Sequence, residues 1–476
     1  MNSTESRRSQ STCLNGSSKC FKIHDPLLGF VNQYPLKSSR SVETIGVFGL
    51  GFVGSSIAAV WLRYGATVVG YDVSTQRIDD IKNQRLGGFD SEVEEALRKG
   101  ILSGKLVLTS DGVEASINSR IKFVCVPVYL GNDGKADLSY LKSACVILGK
   151  GLRRGDSVII CPSAPPGTTR NLVAKVLAKE SKLKAGEDFS LIYSPERIFV
   201  GRAVKDLEEN YPAVVSGIDE RSLAKAEEIY GKISKKGSVK MPSLESAEFE
   251  KLAEGVYRDV NIALANELAM VCDELGIDYF SIREAANSQP YSNLHVPGFG
   301  VGGACIPVYP LLVKQSVNKT KTSIISESRR INDSMTNWLV DALKKEFHVN
   351  ESTRIGILGL SFRGGIADSR LSVTYKLVDN LKMKGLANIR VHDPLIHNDE
   401  VIGPILTSDL RSVIRWSDIA IIVTDHKEYK DFDWRRVKKH LRLIDGKGLL
   451  RGRNSENNIE LYGLGYGSKR PKVTEQ

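Results

Sequence analysis

The sequence predicts an α/β chain: two doubly wound, Rossmann-like units joined by a long central helix. Three observations point there. Short apolar runs alternate with helical patterns through the first half. Near residue 250 the period changes to that of an extended amphipathic helix, and strand-and-helix alternation restarts at residue 354. A chain of 476 residues is also too long for one hydrophobic core, so more than one unit is expected.

Taken in order, residues 1–40 are polar and Ser-rich, lack the compact apolar stretch of a secretory signal, and are expected to be a disordered tail. Residues 44–49 (TIGVFG) read as a strand ending in glycine, followed by a helical pattern through Ile57, Val60 and Trp61. Further strands are expected at 67–71, 122–126, 157–161 and 190–193, giving a mostly parallel sheet. From 246 to 275, apolar residues recur at Phe249, Leu252, Ala253, Val256, Val260, Ala263, Leu264, Leu268, Val271 and Leu275, the pattern of a long amphipathic helix. A connector that also makes a subunit contact fits this pattern, and so does an internal core helix. The runs 354–359, 389–392 and 419–423 then begin the second α/β unit.

Composition excludes several classes. Hydrophobic content of 41% with 26% charged residues is globular, and no apolar run is long enough to span a bilayer, so no membrane insertion is expected. The seven cysteines (13, 20, 125, 145, 161, 272 and 305) are scattered, with no C-x-x-C pair and no histidine at ligand spacing, which argues against a disulfide framework and a metal site. Without an export signal, a cytoplasmic location is expected. The net charge of +10 is spread along the chain without an aromatic-interleaved basic motif, so no nucleic-acid partner is expected; an evenly mixed surface explains it best.

Two motifs carry chemistry without further help. Gly49, Gly51 and Gly54, with Phe52 and Val53 between them, make G-x-G-x-x-G directly after a strand and at a helix start. Asp72 closes the next strand about 20 residues on, where a carboxylate accepts ribose hydroxyls and repels the extra phosphate of NADP. No basic residue adjoins Asp72 in sequence, so NAD is the expected cofactor, its pyrophosphate on the helix N-terminus. The second motif is PGFGVGGACIP at 297–307, in which Gly300, Gly302 and Gly303 allow close backbone approach to a ligand and present Cys305 at the loop end. A buried structural cysteine is the commoner fate of a lone thiol, but it seldom ends such a loop. Two further features are weak alone. Glu196, in Ser194-Pro195-Glu196-Arg197 after a strand, could be a base or a surface carboxylate. Lys251 shares a helix face with Gly255 and, read in isolation, is a solvated charge.

Together GLGFVG, PSAPPGTT at 162–169, YSPER, EKLAEGVYRDVNIALANELA, PGFGVGGACIP, GLSFRGGIADSRLS and VHDP at 391–394 resemble the UDP-glucose/GDP-mannose dehydrogenase family, especially its UDP-N-acetyl-mannosamine dehydrogenase branch. The resemblance runs from about residue 44 to 466. It implies an NAD-binding domain at 41–240, a central helical dimerisation domain at 241–335, a UDP-sugar-binding domain at 350–466 and a tail at 467–476. It also implies a homodimer. The implied reaction is oxidation of the sugar C6 alcohol to a carboxylate, consuming two NAD and one water. Cys305 would trap the aldehyde, Lys251 would stabilise the oxyanion, and Glu196 would act as base or position water. Ser163 is then expected at the cofactor, and Arg197, Gly300, Gly302, Gly303, Arg363 and Arg370 at the substrate. Asp368, Arg370 and Ser372 keep the family's D-x-R-x-S pattern.

Three departures stand out. Val128 replaces a threonine, Gly255 an asparagine that orients water, and Tyr309 an aspartate; Tyr291 stands where relatives carry an arginine that crosses the dimer. Three readings follow. The first is a complete dehydrogenase of a UDP-N-acetylhexosamine, UDP-ManNAc by resemblance. The second is a paralogue with altered chemistry, either partial two-electron oxidation or oxidation and re-reduction. The third is a non-catalytic nucleotide-sugar-binding subunit.

Overall fold

The apolar runs become strands because helices cover both faces of the sheets they form. The computed structural model describes residues 43–437, 439–453 and 458–467. The expected tail at 1–40, and all of the tail at 467–476 except Gly467, lie outside the described residues. The first sheet contains β1 (Thr44–Phe48), β2 (Thr67–Tyr71), β3 (Leu106–Thr109), β4 (Ile121–Val124), β7 (Ser157–Ile160), β8 (Ser190–Tyr193), β9 (Ala213–Gly217) and β10 (Ser238–Lys240). A small hairpin, β5 (Tyr129–Leu130) with β6 (Ala136–Asp137), leaves the sheet after β4. The order is β10-β9-β8-β7-β4-β1-β2-β3, parallel throughout except where β8 meets β9. The chain moves outward from β1 through β2 to β3 and then returns to β4 on the other side. The crevice between β1 and β4 at their carboxyl ends is therefore the topological switch point, where open α/β sheets bind ligands.

The second sheet contains β11 (Ile355–Leu358), β12 (Ile389–His392), β13 (Leu406–Thr407), β14 (Ile419–Ile422), β15 (Leu441–Asp445) and β16 (Ile459–Gly463). Its order is β13-β12-β11-β14-β15-β16, with every neighbour parallel. The two doubly wound domains expected from the sequence are present. The expected strands 122–126 and 157–161 overrun: pairing stops at Val124 and Ile160, and Cys125 and Cys161 follow as single rungs, donating to the Phe48 and Val124 carbonyls at 2.8 and 3.1 Å.

The connecting helix spans Leu244–Leu275, about 48 Å at 1.5 Å per residue. Ser243 caps its start by accepting from the Ser246 N–H, and Gly276 ends it with φ +70°. A second helix, Ser323–Lys345, lies along it and was not anticipated. The apolar periodicity of the connector mixes two faces. Leu252 and Ala263 are buried, whereas Phe249, Tyr257, Leu264 and Val271 stand 42–51% exposed. Among the described residues no helix is long and apolar enough to cross a membrane.

Candidate functional site

The three glycines of the first turn do three different things. Gly49 adopts φ +97°, which an L side chain rarely does. A Cβ on Gly54 would lie 1.9 Å from the Gly49 carbonyl oxygen, so the helix Phe52–Arg63 can approach the turn only without one. A Cβ on Gly51 would meet no atom within 4 Å, and Gly51 is exposed. That open space lies at the N-terminus of a helix whose first turn has no side-chain cap and no carboxylate, leaving the N–H groups of Phe52, Val53 and Gly54 for an anion. Half-buried Asp72 accepts from the Leu50 N–H at 2.7 Å and the Ser74 N–H at 2.9 Å, which fixes its carboxylate beside the turn with lone pairs to spare. These features fit a dinucleotide. No basic residue adjoins Asp72 along the chain, but Arg77 folds back, donates to the Leu50 carbonyl at 2.9 Å and stacks 4.5 Å over Phe89.

Lys251 of the connector helix lies near both Cys305 of the glycine-rich loop and Glu196. Cys305 is exposed at the loop end. Lys251 is 6% exposed and so is not a solvated surface charge. Burial lowers its pKa, opposed by nearby Glu254 and Cys305, and its ammonium reaches Glu254 at 3.5 Å. Desolvation pushes the Glu196 carboxyl up to about 7, against the pull of Lys251 and Arg197, so Glu196 exchanges a proton near neutrality. Arg197 is engaged internally. It donates to Glu254 at 3.1 Å and to the Pro212 carbonyl, and lies over Tyr211 at 5.0 Å.

Two of the three departures are one event. A Cβ on Gly255 would fall 2.1 Å from Cδ2 of Tyr309, so the helix-interior glycine is required by the tyrosine ring in the hollow above it. Tyr309 is 5% exposed, packs with Leu252 and Leu312, and places its hydroxyl 2.8 Å from the Ser163 hydroxyl. Burial and the neighbouring Cys305 raise its pKa well above that of an ordinary phenol, which keeps it protonated. Ser163 therefore ties the cofactor domain to the cysteine loop. Its own segment is anchored by buried Glu248 of the connector, which accepts from the Gly167 and Thr169 N–H groups at 2.5 and 2.7 Å. Val128 is half-buried, and Tyr291 is 89% exposed.

Close approach at Gly300, Gly302 and Gly303 was expected to serve a ligand; the structure gives much of it to the second domain. A Cβ on Gly302 would lie 2.8 Å from the Leu371 carbonyl, and one on Gly303 3.0 Å from the Phe362 ring, while the Gly303 N–H donates to Arg370 O at 3.0 Å. Chain-to-chain packing and ligand approach leave the same signal, absence of a side chain, so sequence alone cannot separate them. Arg370 pairs with Asp368 at 2.6 Å and its charge reaches Cys305, and Ser372 caps the helix Val373–Met383. Arg363 donates to the Val200 carbonyl at 3.3 Å and, with Arg202 and Arg258, surrounds the Phe199 ring at 4.8–5.6 Å. Three guanidinium groups about one aromatic ring form a cationic wall between the domains. Of these, only Arg363 was anticipated. Asn266 was also missed: it accepts from the Gly298 N–H at 2.8 Å and donates to Asn332, holding the loop to both long helices.

The family comparisons agree with this geometry. The NAD-binding domain of the UDP-glucose/GDP-mannose dehydrogenase family matches residues 43–234, its central domain 245–334 and its UDP-binding domain 356–454. The UDP-N-acetyl-D-mannosamine dehydrogenase of Pyrococcus horikoshii is 33% identical over 414 residues, covering 86% of this chain and 96% of that protein. An NDP-N-acetyl-D-galactosaminuronic acid dehydrogenase of Ralstonia solanacearum is 28% identical, covering 86% and 98%. The solved structure of the Pyrococcus horikoshii UDP-D-ManNAc dehydrogenase superposes with a TM-score of 0.81 at 32% identity, over 89% of this chain and 99% of that one. With a dinucleotide turn, a UDP-binding domain and relatives matched over nearly their whole length, this chain belongs to the UDP-glucose/GDP-mannose dehydrogenase family and is an NAD-dependent UDP-sugar dehydrogenase.

Proposed function

We propose that the chain oxidises the C6 alcohol of a UDP-N-acetylhexosamine, UDP-N-acetylmannosamine, to the uronate through a covalent Cys305 intermediate. The observation that carries this reading is the meeting of an exposed Cys305 with a buried Lys251 and a Glu196 whose carboxyl is raised to about 7. The name of the Pyrococcus horikoshii relative supports the choice of sugar. NAD, held by the Gly49–Gly54 turn and Asp72, supplies the hydride acceptor when bound. Glu196 takes the alcohol proton as the carbonyl forms. Cys305 gives up its proton to solvent as its sulfur adds to the aldehyde carbon, Lys251 donates to the resulting oxygen, and loss of a second hydride to a second NAD, with return of the oxygen's proton to Lys251, leaves a thioester. Water cleaves that thioester, releasing the carboxylate and restoring the thiol. Arg363 and Arg370 supply positive charge for the diphosphate.

A second reading, oxidation that stops after two electrons, is favoured by one observation: the Tyr309 ring fills the hollow over Gly255, where the resemblance implies side chains that hold water. A homodimer is also proposed. Phe249, Tyr257, Leu264 and Val271 recur every seven or eight residues and leave an exposed apolar stripe along the connector. The deciding experiment incubates the protein with NAD and UDP-N-acetylmannosamine and measures NADH per sugar and product mass. Two NADH and a uronate are expected, and Cys305→Ser should stop uronate release. One NADH per sugar, or turnover unchanged by Cys305→Ser, would overturn the covalent four-electron route.

A further inference from the structure

The cysteines are scattered along the sequence, yet the first sheet brings two of them side by side. β4 and β7 pair in parallel with Val124 opposite Ile160, and the next residues on the two strands are Cys125 and Cys161. The Cys161 N–H still donates to the Val124 carbonyl at 3.1 Å, so the two cysteines stand opposite each other at the end of the ladder. Paired strands run about 4.8 Å apart, inside the Cα separation of about 4.4–6.8 Å that a disulfide spans. Side chains alternate along a strand, which puts Cys125 on the face of Phe123 and Cys161 on that of Ile159. Both cysteines pack against one core cluster, which also holds Phe123, Ile159 and Ile57 of the helix Phe52–Arg63. The two thiols therefore share a face as well as a rung, and both are free.

Cys125 is the first residue past β4, at the floor of the switch-point crevice between β1 and β4. A Cβ on Gly49 would lie 3.2 Å from the Cys125 carbonyl, so the Cys125 backbone supports the dinucleotide turn directly. Cys125 is half-buried and Cys161 buried, so an oxidant entering the crevice meets Cys125 first. We propose that Cys125 and Cys161 are a redox pair which a hydroperoxide closes into a disulfide across the ends of β4 and β7, and that closure and NAD binding oppose one another. With hydrogen peroxide, the Cys125 sulfur attacks one oxygen, the O–O bond breaks, and the departing oxygen leaves as water with the Cys125 proton, giving a sulfenic acid. The Cys161 sulfur then attacks the Cys125 sulfur, the S–O bond breaks, and the leaving hydroxide takes the Cys161 proton as a second water. Two thiols lose two electrons, and one peroxide is reduced to two waters. Drawing the strand ends to bonding distance displaces the Cys125 backbone from Gly49 and loosens the turn. NAD seated on that turn resists the same displacement, and such a coupling is reciprocal.

The test treats the full-length protein with hydrogen peroxide, with and without saturating NAD, caps the remaining thiols with iodoacetamide and digests with trypsin in the absence of reductant. The expected product joins peptide 123–135 to peptide 155–170, is two hydrogens lighter than their sum, and is undone by dithiothreitol. NAD should slow its formation about tenfold, and the linked protein should bind NAD about tenfold more weakly in a calorimetric titration, one coupling read from both sides. Cys161→Ala leaves Cys125 and the exposed Cys305 to meet peroxide but cannot close the pair, so its NAD affinity should stay within about twofold after treatment. Absence of the linked peptide, equal NAD affinity for linked and reduced protein, or an equal loss of affinity in Cys161→Ala would overturn the proposal. If Cys161→Ala fails to fold, the wild type decides alone: the same rate of linking with and without NAD would overturn it. The assay needs no sugar nucleotide and is independent of the role proposed for Cys305.

Discussion

The two doubly wound domains open with nearly the same six residues, Gly49-Leu50-Gly51-Phe52-Val53-Gly54 and Gly359-Leu360-Ser361-Phe362-Arg363-Gly364, and use them in opposite ways. Each turn begins with a glycine at positive φ, +97° and +115°. In each, an aspartate just past the second strand accepts from the backbone of the turn, Asp72 from Leu50 and Asp393 from Leu360. There the likeness ends. Asp72 is half-buried, and a helix begins at once above an open Gly51. Asp393 is fully buried, accepts from the Leu360, Ser361, Leu395 and Ile396 N–H groups, and meets His426 at 3.1 Å. No helix follows until Val373, so the chain runs as a loop that carries Arg363 to the Val200 carbonyl and the charge of Arg370 toward Cys305. One carboxylate is left for a ligand and the other locks a loop. A helix N-terminus and one unfilled glycine separate the two uses.

The largest break in this comparison should come from Gly54→Val. With a Cβ 1.9 Å from the Gly49 oxygen, the helix must withdraw, and NAD affinity should fall about a hundredfold or more, a loss of about 3 kcal/mol, as read by calorimetric titration. Next is Asp393→Asn, which removes a buried charge serving four N–H donors and His426. Unfolding in urea should show a loss of about 2–3 kcal/mol, with KM for the UDP-sugar raised more than KM for NAD. Hydrogen bonds from His426 and the backbone hold the Asp393 carboxyl well below the usual range against the cost of burial. Its contribution is therefore present above the unfolded value near 4 and disappears as the pH falls below it. Wild type and Asp393→Asn should converge in stability toward acid. The smallest structural effect is Gly51→Ala. Its Cβ meets no protein atom, so the melting temperature should stay within about 2 °C while NAD binding weakens about tenfold. A large drop in melting temperature would mean that Gly51, like Gly54, serves packing.

The sequence by itself determined the two α/β units, the NAD turn with Asp72, the long connector and the family motifs around Cys305, because each is a local pattern of period, turn chemistry or spacing. It also marked Val128, Gly255 and Tyr309 as departures, but as three independent losses. Only the tertiary structure decided that Gly255 and Tyr309 are one exchange, since their fit depends on a ring 54 positions away in sequence entering a groove of the helix. It likewise decided that Gly302 and Gly303 face Leu371 and Phe362, that Arg77 folds back onto the Leu50 carbonyl, and that Phe249, Leu264 and Val271 of the connector are exposed. The physical reason is common to all four. A missing side chain, a distant charge or an apolar residue at helical spacing reads the same whatever fills the space opposite, and what fills it is set by packing between elements remote in the chain.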